Sequence, residues 1–381
     1  MRLFNRKKWV FLAAGIALCL SCAGTKPKPS EQSGDDVTEA VTDDLPEEEF
    51  EPDDTPDAWC YVRSANSHLQ SEDKNIYSAI QDASEAIRLD PDGYAAATAY
   101  VLRARAHSDE NNHYQTIHDA SEAIRLSPDG INAPVAYILR AEARLNKNIK
   151  EDGDVDLVIE DCDSAIQLDA RHVRPSTEAA YFLRSVAHSR KKNYDQAVAD
   201  SDTAIQMNIR LAFDSCCGRY LSRAEAHFGK KNYDLAIEDA SAEIQKFPDG
   251  DNVWDARRLR AKAYSEKGDY NRAVKELSEA IQMNPNDAGL YNSRAWTYAH
   301  YMKKNFDRAI EDADRAIELD PNSGTYYDTR GWAYFGKGDY DSAERDFSKA
   351  LQLDPSVEES KEGMEKVREA RAAKKTAKPG K

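Results

Sequence analysis

The sequence predicts an all-α chain, a solenoid of about eight helix-turn-helix repeats closed by a C-terminal capping helix. An arginine recurs at Arg63, Arg103, Arg140, Arg184, Arg223, Arg260, Arg294 and Arg330, with spacings of 40, 37, 44, 39, 37, 34 and 36 residues. A near-fixed period of this size marks a repeat array. Ala79, Ala83 and Ala86, Ala236 and Ala240, and Ala309, Ala313 and Ala316 recur three and four residues apart. Those intervals share one helical face, where a second helix can cross closely. Asp90-Pro91, Asn284-Pro285, Asp320-Pro321 and Asp354-Pro355 then end second helices, because proline cannot continue them. Pro128 and Pro248 do the same, whereas Ala170 and Ile209 stand at that position in repeats three and four.

Each remaining segment has its own reading. Arg2, Arg6, Lys7 and Lys8 precede an apolar run from Trp9 to Leu20 and the small residues around Cys22. A basic head, a short apolar middle and a small-residue end describe a secretory signal. The stretch Leu18-Cys19-Leu20-Ser21-Cys22 resembles a bacterial lipobox, with Cys19 where that box usually has Leu. The resemblance implies a signal peptide over 1–21, lipidation (palmitate) at Cys22 and an exported, outer-membrane lipoprotein. The alternative is ordinary cleavage after Ala23. Residues 31–57 hold thirteen Asp or Glu and no Lys or Arg, which accounts for -13 of the net charge of -16. Such a segment buries too little apolar surface to offset its chain entropy. Residues 22–57 therefore read as an extended acidic tether, with an acidic arm for a basic partner as the alternative. No apolar run is long enough for a membrane-spanning helix. The acidic balance argues against a nucleic-acid binder, which needs a positive surface.

The repeats fill 58–355. The last contains Tyr327, Gly331, Tyr334, Gly338-Asp339-Tyr340, Ala343, Phe347, Ala350 and Pro355. This pattern resembles the tetratricopeptide consensus, and all eight repeats match it to varying degrees. The resemblance implies a right-handed superhelix whose first helices line a concave groove. The first five spacings exceed the usual 34 residues, which predicts longer helices and an irregular pitch. Residues 356–381 read as a charged capping helix, as a solenoid end needs, followed by a basic tail with Arg371, Lys374, Lys375, Lys378 and Lys381.

An acid also recurs in the second helices: Asp82, Asp119, Asp161, Asp200, Asp239, Glu276, Asp312 and Asp346. Arg330 and Asp346 each stand eight residues from Gly338, so an antiparallel hairpin puts them side by side. The arginines and acids, Arg184 with Asp200 among them, are read as structural ion pairs within each repeat. Cys60 and Cys162 read as packing residues; Cys216-Cys217 is open to a vicinal disulfide, pairing elsewhere or free thiols. His107, His188 and His227 fall in register where the family often has Tyr, and read as packed imidazoles rather than a metal ladder. No Cys/His grouping has zinc spacing, and no phosphate loop, nucleophile elbow or HExxH helix occurs. The sequence thus predicts no metal, no cofactor, no catalytic residue and no enzyme.

The groove is the remaining site. In tetratricopeptide proteins, repeat positions 2, 5, 9 and 12 usually meet the ligand. Here they give Tyr61, Val101, Ile138, Phe182, Leu221 and Arg258 at position 5, and Trp296 and Trp332 at position 9. The Lys and Asn pattern of chaperone-tail clamps is absent, which points away from that partner. An apolar strip over the first five repeats suits a helix or extended peptide, unless repeat packing buries it. The reading is a non-catalytic protein-binding scaffold or assembly factor at the cell envelope, on the periplasmic face. The rival is a surface-exposed adhesin for a host protein or glycan. Oligomeric state and partner identity are not legible.

Overall fold

The structure is a computed structural model and describes residues 57–71, 73–146, 152–169, 175–211, 218–250 and 252–376. The signal-peptide, Cys22 and tether expectations, and Cys216-Cys217, lie outside the described residues. Seventeen α-helices and one π-helical turn occur among these residues, with no strand. The fold is an all-α helical-repeat solenoid, and its contacts divide it into two compact bodies within one helix, between Ala187 and His188.

The N-terminal body holds α1 (Ala58–Gln70), α2 (Ile76–Leu89), α3 (Tyr94–Asp109), α4 (His113–Leu126), α5 (Ala133–Asn146), α6 (Asp152–Asp169) and the start of α7 (Pro175–Arg190). The C-terminal body holds α8 (Tyr194–Leu211), α9 (Arg219–Gly229), α10 (Tyr233–Lys246), α11 (Val253–Glu266), α12 (Tyr270–Met283), α13 (Ala288–Trp296), the π turn (Thr297–Tyr301), α14 (Phe306–Leu319), α15 (Gly324–Lys337), α16 (Tyr340–Leu353) and α17 (Glu358–Thr376).

The small residues do what their spacing predicts. Ala79, Ala83, Ala86, Ala236, Ala240, Ala309, Ala313 and Ala316 are all buried at helix crossings. Helices α2, α12, α14 and α16 each stop one residue before an Asp-Pro or Asn-Pro pair, whose first residue donates its N–H back to the last turn. The turns inside the hairpins need left-handed backbone. Gly268 and Gly338 supply it at φ 82° and 78°, but Asn111, Lys192 and Lys231 adopt it at 58°, 62° and 62°, where a side chain is strained. The extra residues of the early repeats lengthen α6 and α8 to 18 residues, against 14 for α10, α12, α14 and α16.

Arginine and acid meet in repeat after repeat. Arg330 donates from Nε and Nη2 to Asp346 at 2.7 and 2.8 Å. Arg103 holds Asp119 at 2.8 and 2.9 Å, and Arg294 holds Asp312 at 2.8 and 2.7 Å, in the same fork. Arg140, Arg223 and Arg260 reach Asp161, Asp239 and Glu276. The free Nη1 then crosses to the preceding repeat: Arg103 to Ser84, Arg140 to Ser121, Arg184 to Asp163, Arg223 to Asp202, Arg260 to Ser241, Arg294 to Ser278 and Arg330 to Asp314. Each of these partners stands two residues after a ladder acid. The arginines are therefore links between repeats as well as pairs within them. Tyrosines three residues earlier face several of these guanidinium groups, Tyr327 at 5.5 Å from Arg330 and Tyr100 at 5.2 Å from Arg103.

The first repeat departs from the pattern. Arg63 is exposed and bonds Cys60 Sγ at 3.3 Å, while Asp82 faces His68 at 3.5 Å. Among the described residues, no second helix precedes Arg63 to anchor its fork. Cys60 is likewise exposed rather than a packing residue, whereas Cys162 is buried. His107, His188 and His227 each bring Nε2 within 3.8–3.9 Å of their ladder acid, beside the arginine. Glu243, in place of the alanine four residues after the acid, accepts the N–H of Gly218 at 2.6 Å at the start of α9. The tail begins by folding back: Arg371 pairs with Asp341 and Glu344, and Lys374 lies 4.3 Å from the Tyr340 ring centre.

Candidate functional site

In the N-terminal body the position-5 residues are interior. Val101 and Ile138 are buried, Phe182 is 8% exposed, and Tyr61 packs against the first core cluster. Leu221, in the C-terminal body, is buried beside Leu259. Alanines on the next turn of the same helices, Ala104 and Ala106 after Val101 and Ala141 and Ala143 after Ile138, are themselves buried. With no bulk there, neighbouring first helices close over position 5, and no open apolar strip results. Position 9 is buried there too and includes two charged residues, Arg105 and Glu142, each 3% exposed, with the guanidinium nitrogens and Oε2 lacking hydrogen-bond partners. Burial and nearby Asp109 push the Glu142 carboxyl up to about 8.

The open space lies in the C-terminal body, where the sequence put polar residues. A cavity of about 600 Å³ is walled by α11, α13, the π turn, α15 and the start of α17, with Phe228 of α9 and Leu277 of α12 completing it, a size ordinary for ligand sites. Seven of its lining residues occupy positions 2, 5, 9 and 12: Thr325, Asn292, Asp328, Lys262, Trp296, Phe228 and Ser265. Of the predicted groove residues, Trp296 lines this cavity. Arg258 pairs with Asp255 beside it. Trp332 packs edge-on against Phe347 at 5.4 Å.

The π turn shapes the wall. Its extra residue turns His300 back onto Trp296, with the rings stacked 4.3 Å apart, and brings the Tyr301 hydroxyl to Glu266 as a donor. Such turns often mark functional sites. The sequence reading missed it; the 36-residue spacing from Arg294 to Arg330, after 34 in the repeat before, is the signal that could have found it.

The electrostatics are those of a concave, partly dry wall. Asp328 is buried, and Ser360 of α17 donates to its Oδ1 at 2.6 Å. Burial pushes this carboxyl up to about 6, against the pull of that hydroxyl, and Glu359 adds to the rise. Glu225 rises to about 7, mainly through burial, with Asp255 raising it and Arg258, Lys262 and Arg190 opposing. Burial also lowers Lys262, although its side chain reaches solvent, because the wall around it is concave. Asn292 Oδ1, Ser265 Oγ and Trp332 Nε1 are buried without hydrogen-bond partners. Among the described residues, no group of three or more His, Cys, Asp or Glu is placed to hold a metal ion, and no helix is long and apolar enough to cross a membrane. The arrangement offers rings, unmet acceptors and carboxylates on one face, which is equipment for holding a ligand.

Two models of the tetratricopeptide repeat match the chain, over residues 258–324 and 324–357. No curated protein sequence matches it. Among solved structures, one from the APC/C hetero-tetramer Cut9-Hcn1 is similar at 13% identity and TM-score 0.55, over 81% of this chain. This chain spans 55% of that protein's length. A tetratricopeptide repeat protein from Parabacteroides merdae is 15% identical, with TM-score 0.44, over 82% of this chain and 98% of its own. The first tetratricopeptide domain of human RPAP3 is 25% identical, with TM-score 0.32, over 34% of this chain and 100% of its own. Residues 258–357 thus match tetratricopeptide repeat models, and the chain as described has a helical-repeat fold like that of the Cut9-Hcn1 structure.

Proposed function

We propose that the protein is a non-catalytic interaction scaffold or assembly factor that holds a peptide or helix of a partner protein in the cavity of its C-terminal body. The observation that carries this reading is the cavity itself, built by positions 2, 5, 9 and 12 of successive first helices, all but Phe228 inside the matched repeats. Tetratricopeptide repeats generally mediate protein–protein interaction, and a concave face of side chains with unmet hydrogen-bonding groups suits an extended chain. We place the protein at the bacterial cell envelope: residues 1–21 as signal peptide, Cys22 as the lipid anchor in the outer membrane, and 22–57 as the tether presenting the repeats to the periplasm. The basis is the lipobox-like stretch and the acidic run.

The test is a photo-crosslinking amino acid placed at Thr325, in the cavity, or at Tyr114, which is 71% exposed on a second helix. Irradiation of intact cells should give one discrete partner adduct from position 325 and none from 114. Protease added outside should leave that adduct intact until the cells are lysed. Adducts from 114 alone would move the binding face. Loss of the repeats to external protease, with a periplasmic control intact, would overturn the periplasmic placement.

A further inference from the structure

We infer that the cavity of the C-terminal body receives a cationic side chain, the ammonium of a lysine or the guanidinium of an arginine carried by the partner peptide, and seats its charge between Asp328 and Glu359. The inference rests on the cavity being the peptide site and adds the chemistry of the residue that enters it.

The first support is the charge left over after the cavity's own pairings. Its lining carries Glu266, Asp328, Asp354 and Glu359 against Lys262. Glu266 accepts from Tyr301, and Asp354 from the N–H and hydroxyl of Ser356. Lys262 lies near Glu225 and Asp255. Asp328 has a hydroxyl partner in Ser360, and among the described residues no Lys or Arg pairs with Asp328 or Glu359. A buried carboxyl met by one hydroxyl and the weaker pull of the Trp332 indole recovers little of its desolvation cost, and an entering cation reverses that balance.

The second support is the kind of hydrogen-bonding group left unmet. Asn292 Oδ1 accepts only, and Ser265 Oγ can accept; both are buried without partners. A cavity with surplus acceptors calls for a ligand rich in N–H donors, which an ammonium or guanidinium supplies. The third is shape and surface. Trp296, stiffened by its stack with His300, offers an aromatic face along which an aliphatic stem can lie and toward which a cation is drawn. Outside the mouth, Glu358 and Glu362 of α17 are paired with Lys361 and Lys366, and Glu365 adds one acid beside Glu359. A glutamate or a chain-terminal carboxylate would instead face Asp328 and Glu359 as a like charge. At about 600 Å³ the space also exceeds what one ammonium ion fills, which points to a side chain delivered by a peptide.

The experiment uses the full chain and octapeptide libraries whose central residue is fixed as Lys, Arg, norleucine or Glu, with binding read by Trp fluorescence. The Lys and Arg libraries should bind at least about tenfold tighter than norleucine, with Glu weakest. Asp328→Asn keeps an acceptor for Ser360, and a thermal melt checks that it folds; it should cut the Lys advantage over norleucine to less than about threefold. Glu359→Gln, on an exposed residue, should lower the same ratio. Equal binding of the Lys and norleucine libraries would overturn the cationic assignment and leave the groove reading standing. No binding by any library would overturn both. Competition by n-butylammonium as strong as that of the Lys peptides would overturn the peptide as bearer of the charge.

Discussion

Replacing Arg330 by alanine removes a fork that does two things. Nε and Nη2 hold Asp346, whose side chain is 9% exposed, and Nη1 crosses to Asp314, which is 47% exposed. The two arms differ in weight. Stripping a buried carboxylate of its partner costs roughly 3–5 kcal/mol, whereas an exposed pair contributes about 0–1 kcal/mol. The loss therefore sits on the Asp346 arm. For a body of this size each kcal/mol lowers Tm by roughly 2–4 °C, so Arg330→Ala should lower the C-terminal body's transition on the order of 10 °C. Arg308, exposed on α14, is the control, and Arg308→Ala should move Tm by about 1–2 °C at most. A combined Arg330→Met, Asp346→Leu variant should recover most of the loss, because it leaves no uncompensated charge. The assay is calorimetry with far-ultraviolet circular dichroism on the full chain, comparing the transition assigned to each body, since a repeat array need not unfold in two states. Equal shifts for Arg330→Ala and Arg308→Ala, or a double variant no better than the single, would refute the buried-pair reasoning.

Other outcomes follow from single positions. Lys231→Gly relieves a left-handed backbone at φ 62° and should stabilise by about 1 kcal/mol, read as a higher urea midpoint; a lower midpoint counts against the strain. Gly331→Ala would put a Cβ 2.7–2.8 Å from the ring of fully buried Phe347, and should cost about 1–3 kcal/mol by the same measurement. Glu142 is buried with its carboxyl raised to about 8 from 4.5, through burial and then Asp109, which is itself paired with Lys74. The folded state thus holds that proton more tightly than the unfolded one, so the contribution of Glu142 to stability is greatest below about pH 4.5 and declines as pH rises toward 8. Glu142→Gln should flatten that decline and stabilise the N-terminal body at pH 8.5 by roughly 3–5 kcal/mol. A variant that melts below the wild type at pH 8.5 would show that the carboxylate has a partner.

The repeat was legible because its signals are local. Arg330 and Asp346 stand equally far from the turn at Gly338, prolines follow the second helices, and alanines keep helical spacing, so each states its place within one hairpin. Contacts between hairpins were harder to read. The bond from Arg294 to Ser278 joins different repeats, and its signal, a serine or aspartate two residues after each acid, means little until the repeats are stacked. The cavity was not legible for a related reason. Val101, Ile138 and Leu221 look like a binding strip by position, but alanine-lined first helices close over them. Space opens beside Asp328, Asn292 and Lys262, where the π turn brings Tyr301 into the wall. A register argument sees which way a residue points but not how closely the next helix approaches.

The central claim, that first helices of the C-terminal body hold a partner peptide, is met most directly by hydrogen–deuterium exchange. The full chain is compared with and without the tightest octapeptide from the Lys-fixed library. The account predicts slowed exchange in α11, α13 with its π turn, α15 and the first turn of α17, and none in α14 and α16. Protection confined to those second helices, or to the N-terminal body, would contradict it.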